Sequence, residues 1–118
     1  MEIKTNIYNK RAQNPTFRAI KTEMAKETLR KTLNKKELKE LFELIRENQE
    51  VKGANLLFFG KKRSLSARLV DNFGTDGWKM KDYKPRFFEG KMHFIKRMAK
   101  KMVARSIKIE EKLKSHKI

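Results

Sequence analysis

An apolar pattern near the C-terminus constrains the fold of this chain more than any other feature. Its members recur alternately four and three residues apart, only Ser106 is polar, and they occupy positions 88, 92, 95, 99, 102, 106, 109 and 113. This spacing places side chains along one side of an α-helix. It predicts a long C-terminal helix over residues 91–115. Gly90 leaves the helix start open, because residues 86–92 could also form a tight hairpin that leads into it.

Two helices are predicted in the N-terminal half of the chain. Asn14 followed by Pro15 is typical of a helix start, and the first helix is expected over residues 15–33. The second is expected over residues 35–50, where a capping-box pattern precedes leucine and isoleucine at helical spacing. This second helix carries five of the fourteen acidic residues, so the acidic charge of the chain is concentrated on it.

The middle of the chain predicts two strands and one short helix. The apolar run at 54–60 suits a buried strand, and residues 78–81 alternate as a half-buried strand does. Between them, residues 65–73 are expected to form a third helix, with a serine cap and Gly74 at its end. The expected fold is therefore α+β and predominantly helical, with about four helices, a small two-stranded sheet and a long basic C-terminal helix.

The chain length fits one small domain. We expect residues 14–118 to form it and residues 1–13, which are polar and basic, to act as a flexible arm. The chain has no cysteine, which excludes disulfides and thiolate metal sites. No apolar run approaches the roughly 20 residues that span a bilayer, so we expect a soluble, cytoplasmic protein without a membrane segment.

Charge is the strongest functional signal. Lysine and arginine total 31 against 14 acidic residues, a formal net charge of +17. Such an excess indicates a polyanionic partner, because binding to phosphates relieves repulsion within the protein and releases counterions from the nucleic acid. Nucleic acid, DNA or RNA, is the leading partner, and an anionic membrane is the second.

The C-terminal helix carries the densest basic surface. Residues 91–108 contain seven lysines and arginines and no acid. Arg97, Lys101, Arg105 and Lys108 follow one another at four, four and three, which aligns them on one face, and Lys100 adds to the charge. We expect this face to bind phosphates. A solvated outer face, an anionic membrane surface and a calmodulin-like groove are the alternatives.

A second basic cluster, Lys61, Lys62 and Arg63, lies between the predicted central strand and the predicted third helix. A phosphate could bind there, where backbone N–H groups at a helix start favour anions. The spacing of Gly53 and Gly60 does not match a P-loop, which argues against nucleotide hydrolysis. The alternative is an ordinary exposed basic loop.

A third segment interleaves aromatic and basic residues, an arrangement in which aromatics stack on bases while cations hold the backbone. Its nucleic-acid-binding candidates are Lys79, Lys81, Tyr83, Lys84 and Arg86. The larger aromatics Trp78, Phe87 and Phe88 are expected to pack in the core instead, which leaves Tyr83 as the exposed aromatic.

Nothing in the sequence favours catalysis. His93 and His116 are isolated, and neither a metal-ligand spacing nor a nucleophile motif is present, so we expect no enzyme, no metal and no cofactor. A metal-free nuclease that uses His93 or Tyr83 with nearby cations is a minor alternative.

The sequence therefore predicts a nucleic-acid-binding protein with largely sequence-independent contacts to the phosphate backbone. Lysine outnumbers arginine 22 to 9, which favours backbone charge over the reading of base edges. The main alternative is a small inhibitor or adaptor that binds a protein partner through the Glu-rich helix 35–50. Another is a component of a ribonucleoprotein assembly with extended termini.

Overall fold

A computed structural model describes residues 19–72 and 79–115. Within these ranges the chain forms three α-helices and four strands. A 3-10 turn, Glu23–Ala25, precedes the first helix. In chain order the elements are β1 (Ile20–Lys21), α1 (Lys26–Thr32), α2 (Lys35–Glu47), β2 (Ala54–Lys61), β3 (Ser64–Asp71), β4 (Met80–Tyr83) and α3 (Lys91–Ser115).

The strands form one mixed sheet in the order β1-β2-β3-β4. Strand β1 runs parallel to β2, and the other neighbours are antiparallel. Alternate residues point to opposite faces of a sheet, and the register places Leu56 opposite Leu69 and Phe58 opposite Ala67. These four side chains are buried on one face, which we call the inner face.

Helix α3 packs on the inner face of β2 and β3. Phe94 meets Phe58 edge to face, with ring centroids 6.3 Å apart, and Met98 and Met102 are fully buried beside them. Helices α1 and α2 complete the same core with their leucines Leu29 and Leu41, among others. Each large apolar side chain buried in this way stabilises the fold by about 1.5–3 kcal/mol relative to an exposed one.

The predicted third helix over residues 65–73 is wrong, and so is the two-stranded sheet. Residues 64–71 form β3, paired with β2 through a two-residue turn. Leu65 and Leu69 are compatible with helical spacing, but Ala67 is also buried, and the true period is two. The turn consists of Lys62 and Arg63, so it contains neither the glycine nor the asparagine that usually marks a hairpin.

The first predicted helix, residues 15–33, is also wrong over its described N-terminal part. Ile20 pairs with Leu56, and the Leu56 amide donates to the Ala19 carbonyl over 2.7 Å, so the backbone is extended there. The α-helix begins at Lys26. Tertiary pairing with β2 therefore overrides the helical spacing of this segment.

The remaining elements follow the sequence more closely. The second helix is confirmed with its predicted capping box and ends at Glu47, and the central strand is confirmed as β2. The later strand is confirmed but lies two residues further on than 78–81. The C-terminal helix is confirmed over 91–115. Several predictions lie outside the described residues: the arm at 1–13, the helix start at Asn14-Pro15, the cap at Gly74, the packing of Trp78, and His116.

Ser106, the polar residue of the apolar pattern, has a specific partner in the core. The Gly53 amide donates to the Ser106 Oγ over 2.8 Å, and the bond is buried. The backbones approach so closely that a Cβ added at Gly53 would stand 2.8 Å from the Ser106 Cα. The Ser106 hydroxyl thus accepts a hydrogen bond from the Gly53 amide, which lies just before β2 and is shielded from water.

We expect Ser106→Ala to lower the free energy of unfolding by about 1–3 kcal/mol, because the Gly53 amide would remain buried without an acceptor. Urea titration followed by circular dichroism measures this change. Ser64→Ala is the matched control, since Ser64 is exposed at the hairpin and should change stability by less than about 0.5 kcal/mol. Equal stability of the two variants would contradict the role of the Ser106 hydroxyl.

Candidate nucleic-acid interface

The turn between β2 and β3 presents the predicted cluster Lys61, Lys62 and Arg63, and all three side chains are exposed. Lys61 pairs with Ser64, so only Lys62 and Arg63 lie between the strands. Lys62 has φ 58°, a left-handed conformation that favours glycine. Thr28 Oγ1 donates to the Lys62 carbonyl over 2.8 Å. Helix α1 therefore holds this strained turn in place.

Beside the turn lies a cleft of about 500 Å³, here called the hairpin cleft. Its lining includes four cations from three parts of the chain: Lys61, Arg63, Lys84 and Lys91. Within the described residues, none of the four has a carboxylate at salt-bridge distance. The structure thus joins one predicted cluster to the aromatic and basic segment and to the start of α3.

A second cleft, of about 600 Å³, lies along β4, and we call it the Tyr83 cleft. Lys79, Lys81, Tyr83 and Arg105 line it. The Lys81 Nζ lies 5.5 Å from the centroid of the Tyr83 ring, and the Lys101 Nζ lies 5.4 Å from it. The prediction that Tyr83 is the exposed aromatic is wrong: its ring is half-buried against the core. It lies between a lysine of β4 and a lysine of α3.

The two clefts lie along one line, because each takes residues from β4 or its flanks and from α3. Lys91 and Arg105 line different clefts and belong to the same helix. We call this line the basic strip; it consists of the two clefts and of Lys101. Parts of two clusters predicted separately are adjacent in it: Lys101 and Arg105 of the α3 row, and Lys79, Lys81, Tyr83 and Lys84 of the segment 79–86.

Two arginines of the predicted row have carboxylate partners inside the protein. Arg105 donates to Asp71 over 2.9 Å and 2.6 Å, and Arg97 donates to both oxygens of Glu89 over 2.9 Å. The Arg105 guanidinium holds the pKa of Asp71 below its usual value, against the opposing effect of burial. These arginines fix α3 to the rest of the fold, and their charge is largely neutralised there.

Glu89 is the centre of a compact network at the start of α3. Its side chain is 4% exposed, accepts hydrogen bonds from Arg97 and, over 2.8 Å, from the Arg86 amide, and lies 2.6 Å from His93 Nδ1. Hydrogen bonding from Arg97, and then from the Arg86 amide and His93, holds the pKa of Glu89 far below its usual range although burial opposes the shift. The Phe94 amide donates to the Gly90 carbonyl over 3.0 Å, which places the helix start directly after this network.

The expected burial of Phe87 and Phe88 is wrong. Phe87 is 88% exposed and Phe88 is 93% exposed. They lie in a turn closed by a hydrogen bond from the Glu89 amide to the Arg86 carbonyl, so Phe88 does not begin the helical apolar pattern. The flanking Pro85 and Gly90 are the sequence signals that could have marked this turn.

The other predicted residues are less closely grouped. Lys100 is exposed and lies about 100° around the helix from Lys101, away from the strip. Lys108 lies beyond the Tyr83 cleft and lines a smaller depression with Arg105 and Glu111. The Arg86 side chain is exposed in the turn that carries Phe87 and Phe88.

The acidic residues of α2 divide between internal and exposed positions. Glu37 caps its own helix, and Glu40 pairs with Lys96 of α3 over 2.9 Å. Hydrogen bonding and charge attraction from Lys96 lower the pKa of Glu40. Glu43 and Glu47 are exposed.

Residues 19–72 and 79–115 contain no group of three or more acidic or histidine side chains that could hold a metal ion. In the same ranges, no helix combines the length and the apolar character needed to cross a bilayer. Comparison of the whole chain with known protein families, with curated proteins and with solved structures gives no match.

We expect Glu89→Gln to lower the melting temperature at neutral pH and to flatten its dependence on acid. The folded pKa of Glu89 is depressed below the unfolded value of about 4.3. Its stabilisation is therefore complete well above that pH and is lost as the pH falls. Thermal unfolding from neutral pH down to about pH 3 measures this loss. The control is Glu43→Gln, whose acid dependence should follow the parent; a parallel profile for Glu89→Gln would contradict the network.

Proposed function

We propose that this protein binds nucleic acid through the basic strip, largely by contacts to the phosphate backbone. The observation that carries the proposal is the gathering, beside β4 and α3, of lysines from distant parts of the chain that have no carboxylate at salt-bridge distance among the described residues. Lys61, Lys84 and Lys91 share one cleft, and Lys79 and Lys81 share the next. Lysine side chains concentrated in a groove attract phosphates and release the counterions bound to them.

The acids nearest to the strip do not cancel its charge. Glu89 and Asp71 are almost buried and each pairs with an arginine of α3, and Asp82 pairs with Arg68 over 2.7 Å. The lysines that remain have no such partner among the described residues. Asp71 lines the Tyr83 cleft, but it pairs with Arg105, so the lysines leave the strip with a net positive charge.

The length of the strip suits several nucleotides. Lys91 and Arg105 belong to one helix, and fourteen residues of helix at 1.5 Å each extend roughly 21 Å. Base pairs in a duplex rise about 3.4 Å each, so this distance corresponds to about six. A single strand could follow the same line.

The chemistry of the strip favours contacts that do not depend on sequence. Arginine is the side chain best suited to reading a guanine edge, because its guanidinium makes two parallel hydrogen bonds, whereas lysine binds phosphate as a point charge. Arg97 and Arg105 use their guanidinium groups on Glu89 and Asp71. The row of α3 therefore offers phosphate contacts chiefly through Lys101.

The double variant Lys81→Gln/Lys101→Gln tests this surface. We expect it to weaken binding and to reduce the slope of log Kobs against log salt concentration by about two, because each substitution removes one cation that binds a phosphate. Fluorescent single- and double-stranded DNA and RNA, titrated at several salt concentrations, provide the measurement. Melting temperature confirms that the variant remains folded.

The matched control is Lys39→Gln/Lys100→Gln, which removes the same charge from exposed positions away from the strip. It should keep the slope of the parent. If both variants reduce the slope equally, net charge and not the strip governs binding. If the parent binds none of the four nucleic acids at physiological salt, the proposed function fails.

A second candidate function is the binding of a protein partner through α2. The observation that favours it is Phe42, which is 61% exposed on this helix beside Glu43. An apolar side chain among exposed acids fits a partner surface with a basic rim. Failure of nucleic-acid binding, together with loss of a partner's binding in Phe42→Ala but not in Lys81→Gln/Lys101→Gln, would favour this function.

A further inference from the structure

Phe87 and Phe88 form an exposed aromatic pair that the fold itself does not use. Their ring centroids lie 4.1 Å apart at a tilt of 54°, and about nine-tenths of each side chain is open to solvent. Large apolar side chains grouped at a surface mark contact sites more often than isolated ones do. Most of the surface of both residues is therefore accessible to a ligand.

The turn that carries the pair is held in a defined shape. Phe88 has φ 66°, a left-handed conformation that a bulky side chain rarely adopts. Such strain persists only where surrounding contacts enforce it, and it is concentrated at ligand-binding sites. Here the contacts come from Glu89, which is held by Arg97 and by the Arg86 amide.

The chain places this pair beside the hairpin cleft. Lys84 and Pro85 line the cleft just before the turn, and Lys91 lines it just after. The two rings are thus joined at both ends to lysines of the same cleft. Proteins that hold single strands combine these two parts, a cationic groove for the phosphates and aromatic rings for the bases.

We propose that Phe87 and Phe88 are a stacking platform for unpaired bases of a single-stranded nucleic acid whose phosphates occupy the hairpin cleft. This inference rests on the proposed nucleic-acid-binding function and names its substrate class. A duplex does not offer the required surface, because its bases are already stacked on one another. The platform is indifferent to base identity, since every base has a π face.

The shape of the site favours a single strand over a lipid surface. A bilayer surface is broad and flat. A protein site that binds it would present a protruding apolar tip with cations arranged around it. Lys61, Arg63, Lys84 and Lys91 instead line a concave cleft at one side of the rings. A flexible phosphate chain can enter such a cleft.

The test compares two single-stranded DNA ligands of equal length, one of ordinary thymidines and one of abasic nucleotides with the same phosphates. The parent is expected to bind the thymidine strand about tenfold or more tighter, because each stacked base strengthens binding. Phe87→Ala/Phe88→Ala should lose this preference and bind both strands alike. Its salt slope should stay that of the parent, since stacking involves no counterion release.

Two controls keep the result specific. Phe42→Ala removes an exposed phenylalanine elsewhere and should keep the preference of the parent. The Phe87→Ala/Phe88→Ala variant should keep the melting temperature, because both side chains are exposed and lie outside the core. Lys81→Gln/Lys101→Gln should lower the salt slope while it keeps the preference for bases.

The outcomes separate the platform from the proposed function. If the parent binds with a steep salt slope but does not distinguish thymidine from abasic strands, the platform is wrong and phosphate binding stands. If the parent binds neither strand at physiological salt, the platform is wrong; the proposed function fails as well only if the parent also binds no duplex DNA and no RNA. Phe-dependent binding to vesicles of anionic phospholipid, without a preference for bases, would also overturn the platform and indicate a membrane site.

Discussion

Helix α3 lies flat on β2 and β3, and the rest of the molecule is arranged around this contact. Its face toward the sheet combines flexible methionines, Met98 and Met102, with the small Ala99, which permits a close approach. Gly53 and Ser106 bring the backbones still closer at the far end. With this face buried, the adjacent flank of α3 brings Lys101 to the Tyr83 ring and Arg105 to the cleft beside β4. The basic strip is thus a geometric consequence of the core.

The packing of α3 also reduces the repulsion between the cations on this helix. Cations spaced four residues apart on one helix face destabilise it, and the α3 row is such a series. The fold neutralises alternate members: Arg97 pairs with Glu89 and Arg105 pairs with Asp71. Lys101, between them, lies over the Tyr83 ring, where the quadrupole of the aromatic face attracts a cation. The helix therefore remains compatible with the fold and still presents positive charge through Lys101.

Sequence patterns predict this structure best where one local pattern decides an element alone. The capping box before α2 and the spacing along α3 are local signals, and the structure confirms both helices. Strand β3 escapes prediction because its inner face includes the small Ala67 and its turn has no glycine. Strand β1 is a strand because it pairs with β2, and no local sequence pattern around Ile20 predicts this pairing. The basic clusters of the site are predictable one by one, but their union along β4 depends on the sheet topology.

Net charge and exposed aromatic side chains would contribute differently to the binding of a nucleic acid. A charge of +17 attracts any polyanion and cannot by itself distinguish a duplex from a single strand. Discrimination requires a group that interacts with something other than phosphate. Phe87 and Phe88 are the groups that we propose for this role, because their rings are exposed and uncharged and Glu89 fixes the turn that carries them. Selectivity for unpaired bases would therefore reside in a turn of two residues, while affinity would come from the lysines around it.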